Sequence, residues 1–294
     1  MKKILAVLLA CSMLFAFAAC GGNNEETTTT AAPETTTEAP AADETTVPAA
    51  DETTAPAADE TTAAADETTT AIEETTAEAA KAPETTEEIV AYFNEASNGI
   101  KANAKSVKRE YSKISLNGTP VFPSVINGVL KLLGGAENFL NDQLSKNSKG
   151  AETYTGADIK AVYPVEGESY VSKLTAADVK SATCKVSEDG KTYTITVVTK
   201  ADGKSDSIQH GEGHAPKAFN VVLPGVVNDN IPGVATSLVG LSTMNYPSST
   251  CKVTVDVETG RVLTADYDLK WTINFDKVGV VIPFTTHDYF VISY

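Results

Sequence analysis

Residues 263–275 read LTADYDLKWTINF, thirteen positions in strict apolar–polar alternation. Leu263, Ala265, Tyr267, Leu269, Trp271, Ile273 and Phe275 fall on one side of the chain. Thr264, Asp266, Asp268, Lys270, Thr272 and Asn274 fall on the other. Period two marks a half-buried β-strand, with one face toward a core and one toward water. At ~3.4 Å per residue the strand spans roughly 45 Å, over twice the ordinary length. A strand that long must twist and curl. The seven apolar side chains are therefore the candidate ligand-facing residues, on the inner side of a curved sheet.

Neighbouring stretches supply partners for it. Cys251, Val253, Val255 and Val257 alternate with Lys252, Thr254 and Asp256 before a Glu258-Thr259-Gly260 turn. Val278 to Phe284 and Asp288 to Ile292 read as two further strands after it. Upstream, Cys184-Lys185-Val186 and Tyr193 to Thr199 flank Ser187-Glu188-Asp189-Gly190, which signals a hairpin. Between the strand groups, Pro224 to Leu241 reads as loop plus a short helix, interrupted by Pro232 and three glycines.

Before residue 154 the period changes. Thr85 and Glu88 have the spacing of a capping box. Ile89, Phe93, Ala96, Ile100, Ala104, Val107, Tyr111 and Ile114 then recur in steps of three and four, predicting one long amphipathic helix. Lys101, Lys105, Lys108 and Arg109 lie on its other, solvated face. A second helical segment follows Pro123-Ser124, with Val125, Ile126, Val129, Leu130, Leu133, Phe139, Leu140 and Leu144 apolar. Gly134-Gly135 bends or splits it. The fold class expected is α+β: a curved, half-barrel-like antiparallel sheet covered on one face by the N-terminal helices.

The chain has 294 residues and a formal net charge of −16, but the charge is unevenly spread. From Cys20 to Glu88 there are 20 Thr, 18 Ala, 18 Asp or Glu, one Lys and no aromatic residue. The unit AADETT starts at Ala41, Ala49, Ala57 and Ala64. Such a tract buries too little apolar surface to offset its chain entropy and is expected to be a disordered spacer. O-glycosylation of its threonines and cation binding by its Asp-Glu pairs are alternative uses. From residue 89 onward, 20 Lys and Arg meet 21 Asp and Glu. A nucleic-acid binder working through a basic field is thereby excluded. The domains expected are 1–19, a signal peptide; 20–84, a linker; and 85–294, a globular domain.

Lys2 and Lys3, the apolar run Ile4 to Phe17 and Ala18-Ala19-Cys20 have the layout of a secretory signal. The small pair before cysteine resembles the lipobox of bacterial lipoproteins, although Phe17 stands where leucine is usual. That resemblance implies a diacylglyceryl anchor on Cys20 and residence on the outer face of the cytoplasmic membrane. An ordinary secreted protein cut near Ala19 is the alternative. The threonine-rich acidic stalk resembles those of Gram-positive surface lipoproteins. Residues ~150–294 resemble a group of uncharacterised clostridial lipoproteins, through Thr153-Tyr154-Thr155-Gly156-Ala157-Asp158-Ile159-Lys160 and Lys173 to Cys184. The expected architecture is similar to the LolA and LppX type of half-barrel, whose curved sheet and helices enclose a lipid cavity.

Three groups of residues invite a chemical reading. Ser181-Ala182-Thr183-Cys184-Lys185-Val186 recurs as Ser248-Ser249-Thr250-Cys251-Lys252-Val253. With Cys11 removed and Cys20 lipidated, a Cys184–Cys251 disulfide is expected, two separately buried thiols being the alternative. His210-Gly211-Glu212-Gly213-His214 offers two imidazoles and a carboxylate to a metal, or to a metal-dependent hydrolase. It lacks the helical His-Glu-x-x-His spacing and an evident fourth ligand beyond His287. Asp266 and Asp268 share a strand face, where surface decoration is the commoner role. No phosphate loop or Gly-x-Ser-x-Gly occurs, and no cofactor is implied. The functional expectation is a lipid-anchored, non-enzymatic module holding an apolar or amphiphilic ligand. A surface-display or partner-binding domain without a cavity stands second, and a hydrolase using His210 and His214 third.

Overall fold

A computed structural model describes residues 81–294 apart from Leu133 and Pro232. The signal, Cys20 and the acidic tract to residue 80 lie outside the described residues. The chain forms Thr86–Asn103 (α1), Ser106–Leu116 (β1), Ser124–Leu132 (α2), Ala136–Asn147 (α3), Glu152–Tyr154 (β2) and Ala157–Val162 (α4). There follow Val179–Val186 (β3), Thr192–Thr199 (β4), Asp202–Ser205 (β5), Pro224–Asp229 (α5) and Gly233–Val239 (α6). Thr243–Tyr246 (β6), Thr250–Asp256 (β7), Val262–Phe275 (β8) and Val280–Ser293 (β9) complete the order. No helix among the described residues is long and apolar enough to cross a membrane.

The class is α+β, built on an open antiparallel sheet of nine strands. Its main path runs β2-β1-β9-β8-β7-β4-β3, with β6 pairing β8 and β5 pairing β6. The two runs expected after residue 277 are one strand, β9, paired with β8 from Phe275–Val280 to Thr264–Val291. A 3-10 turn over 276–278 and Gly279, at φ 67°, reverse the chain between them. Glycine reaches that left-handed conformation without a side-chain clash.

The capping box at Thr85 is present: Glu88 N–H donates to Thr85 Oγ1 at 3.2 Å, and Thr85 N–H to the Glu88 carboxylate at 3.0 Å. The expected single long helix is corrected. It ends at Asn103, and the sequence beyond is β1. Lys105 N–H already bonds Ser293 O at 2.8 Å, and β1 continues antiparallel to β9. Steps of three and four happened to match a strand carrying a bulge between Arg109 and Tyr111. Val107 and Ile114 consequently share one face while Tyr111 takes the other.

The solvated basic face is corrected for Lys101 and Arg109, while Lys105 and Lys108 are exposed as expected. Lys101 points into the protein and donates to the carbonyls of Val165 (2.6 Å), Glu168 (3.0 Å) and Tyr170 (3.0 Å). Arg109 is buried in β1, where it pairs with Glu152 at 2.7 Å. Asn98 works alongside Lys101. Its side-chain oxygen accepts from Val171 and Ser172 N–H, and its amide donates to Ser172 O. Gly134 and Gly135, at φ 90° and 98°, split the second helical segment into α2 and α3.

Cross-strand partners share a face of a sheet, so the register sorts the side chains directly. One face carries Ala265, Tyr267, Leu269, Trp271, Ile273 and Phe275 on β8, with Phe290, Phe284, Ile282 and Val280 opposite on β9. Val253, Cys251, Ile195 and Val197 extend it through β7 and β4. Helix α1 packs on this side, burying Ile89, Val90, Phe93 and Ile100, with Tyr92 edge-on to Tyr193 at 5.9 Å. The segments around Tyr163 and Phe219 join it. Tyr163 meets Phe290 at 4.9 Å and Phe219 meets Tyr267 at 5.7 Å, both edge-to-face.

Candidate functional site

The expected ligand-facing residues are core. Ala265, Tyr267, Leu269, Trp271, Ile273 and Phe275 are each at most 7% exposed. Trp271 stacks on Phe284 at 4.3 Å, and its indole N–H donates to Thr286 Oγ1 at 3.0 Å. Leu263 departs from the set. Thr264 pairs with Thr254 but Val262 with Val255, so Leu263 is the extra residue of a bulge and is exposed. Val262 takes the buried position instead.

The expected disulfide is not formed: Cys184 and Cys251 are free thiols. Cys184 pairs with Ile195 and Cys251 with Val197, both on β4, which runs between their strands. Two strand spacings of ~4.8 Å already exceed the ~7 Å Cα separation that a disulfide spans. Burial raises both thiols, Cys251 far above the ordinary range.

The His210–His214 loop is held together by other contacts. His214 Nδ1 lies 2.9 Å from Asp178 Oδ1, and Lys217 Nζ lies 2.7 Å from the same oxygen. Thr175 donates through its N–H and hydroxyl to Asp178 Oδ2, both at 2.8 Å. Burial pushes the Asp178 carboxyl up, but hydrogen bonds from Lys217, Thr175 and His214 outweigh it and hold the group well below the carboxylate range. Asp202 clasps the loop backbone, accepting from His214 and Ala215 N–H at 2.7 and 2.8 Å. Gly213 sits so close that a Cβ there would lie 2.6 Å from Asp202 Oδ1. Glu212 caps Gln209 N–H at 2.9 Å, and burial lowers His210. His214 and Glu212 are thus engaged separately, and His210 Nδ1 is buried without a hydrogen-bond partner. Among the described residues no cluster of three His, Cys, Asp or Glu could hold a metal.

The chemically provisioned region is the opposite, polar face of the central strands. Along one row, Thr196, Lys252, Asp266, Tyr289 and Tyr111 are successive cross-strand partners; along the next, Thr250, Asp268, His287 and Lys113. His287 Nε2 lies 2.7 Å from Asp266 Oδ1, and Lys252 Nζ 3.2 Å from Asp266 Oδ2. Tyr111 presents its ring edge-on to His287 at 5.2 Å and stacks with Tyr289 at 6.0 Å; the Lys113 ammonium lies 4.6 Å from its centroid. Where α3 approaches this face there is a cleft of about 540 Å³, reaching Lys113, Ser115, Asp268, Thr285 and His287. The alternation in 263–275 already placed Asp266 and Asp268 together. Tyr111 carries no such signal because its spacing from Val107 and Ile114 also fits a helix, and the docking of α3 leaves none because it joins segments distant in sequence. No protein family, curated protein or solved structure matches this chain.

Proposed function

We propose a lipid-anchored, non-enzymatic surface domain that meets its partner on the polar face of the sheet. The curved sheet, half-barrel-like with α1 laid across it, serves in this reading as a filled scaffold rather than a ligand container. One observation carries the choice: six of the seven apolar side chains expected to line a cavity are buried, Tyr267 edge-on to Phe219 and Trp271 stacked on Phe284. The lipobox-like Ala18-Ala19-Cys20 and the acidic tract support an anchor and a stalk that hold the domain off the outer face of the cytoplasmic membrane.

Native mass spectrometry and organic extraction of the purified chain test the scaffold reading. The expected result is an unliganded mass with no lipid beyond that bonded to Cys20. A stoichiometric amphiphile, released only on unfolding, would restore the container reading. For the anchor, Cys20→Ala is expected to release the protein or block its processing. A normally processed variant that stays membrane-bound would refute it.

A further inference from the structure

The cleft beside α3 holds a polar atom that the fold leaves without a partner. Asp268 Oδ1 is buried and makes no hydrogen bond. A carboxylate oxygen is a strong acceptor, and leaving one buried and unpaired is costly. Asp266, two residues earlier on the same face, differs in being satisfied by His287 and Lys252. Asp268 lines the cleft with Oδ1 turned away from water, so a rotation of the carboxylate toward the cleft would bring that oxygen to a donor delivered by a ligand.

The rest of the lining limits what that ligand is. Ser115, Thr285 and Asn141 offer neutral hydroxyl and amide groups, while Ile114 and Leu144 contribute apolar surface. Asp268 faces Lys113 across His287 in the register, so neither sign of charge prevails. An anion would meet the Asp268 carboxylate, and a metal cation would find no cluster of ligands. Hydroxyls that donate to a carboxylate and exchange bonds with side-chain hydroxyls and amides, joined to C–H faces that suit apolar surface, describe a sugar. The volume lies within the ~300–1,000 Å³ of small-molecule sites, and the Tyr111–Tyr289 stack stands on the same sheet face as a platform. We infer that this cleft, between α3 and the polar face of β1, β9 and β8, binds a neutral oligosaccharide with Asp268 as its principal acceptor. The inference rests on the partner-binding reading above and names the partner's chemistry.

Saturation-transfer NMR on the full chain, with the N-acetylglucosamine trimer, maltotriose and cellotriose as probes, tests it. At least one probe is expected to receive saturation and to lose at least tenfold in affinity with Asp268→Ala. Ser145→Trp, which places a bulky ring at an exposed position of the cleft wall, is expected to abolish binding while the far-ultraviolet circular dichroism and the urea midpoint stay native. That second variant keeps the test decisive should Asp268→Ala misfold. Absence of transfer to all three sugars, or binding unaltered by folded Asp268→Ala and Ser145→Trp, overturns the inference. A negative sugar result from a lipid-free protein would leave the filled-scaffold reading standing. Co-purifying amphiphile would remove that reading instead.

Discussion

Along β8, side chains of two kinds alternate on one backbone, and the two faces obey different rules. On the covered side, Tyr267, Trp271 and Phe275 are fixed by shape, because a close-packed interior penalises any loss of volume. On the open side, Asp266 and Lys270 are half-buried, and the pair of Asp266 with Lys252 costs little to lose. Stability therefore resides on one face, which leaves the other free to carry recognition chemistry. The covered side also includes the segments laid over it, with their buried charges. Polar groups there are few but energetically dear.

The largest effect is expected from Trp271→Ala, which removes an indole stacked on Phe284 and orphans the Thr286 hydroxyl. Urea unfolding should show a loss of about 3–5 kcal/mol. A loss below about 1 kcal/mol would mean that this face is loosely filled and would reopen the container reading.

Asp178→Ala should follow, at about 2–3 kcal/mol, since it strands the partly buried ammonium of Lys217. Because the folded pKa of Asp178 lies below its unfolded value, its contribution is complete at neutral pH. It is lost only as pH falls through the lowered folded pKa. Acid titration of wild type against the variant should show the difference shrinking at low pH.

Glu166 sharpens the contrast with the opposite sign. Burial pushes its carboxyl up to about 7, while Asn220 donates to it at 3.1 Å. The native state then binds its proton more tightly than the unfolded chain, whose ordinary value is ~4.3. This contribution is fully present below the unfolded pKa and is lost as pH rises toward about 7. Comparing urea midpoints at pH 5 and pH 8 should show that fall in wild type and a smaller one in Glu166→Gln. Equal falls would place the carboxyl in water. The smallest effect is expected on the open face: Lys252→Ala breaks the pair with Asp266 and should cost no more than ~1 kcal/mol by the same measurement.

How far the sequence anticipates this arrangement depends on how local the signal is. Alternation over 263–275 specifies β8 almost to the residue, and the Thr85–Glu88 spacing specifies the start of α1. The end of α1 is invisible, because β1 is a strand on account of β9, far along the chain. The same holds for Lys101. Its lysine identity suggests solvent, and only the docking of residues 165–170 turns it inward. The recurring Ser-x-Thr-Cys-Lys-Val stretches fall at the end of β3 and the start of β7 and record no covalent link, since nothing local reveals that β4 inserts between them. Of the site, the acidic pair on β8 was legible; the cleft beside it needed α3 folded into place.

The pairing of β1 with β9 also sets a timetable. One strand occupies residues 106–116 and its mate residues 280–293, with Ser106 opposite Ser293. A ribosome working at ~5–20 residues per second delivers the first on the order of ten to thirty seconds before the second. Until then β1 carries an unsatisfied hydrogen-bonding edge, the kind that recruits stray strands. Sheet closure of such long sequence separation is also slow once the whole chain is present. The edge of β1 thus stays open until β9 arrives, and that fourteen-residue strand acts as the latch.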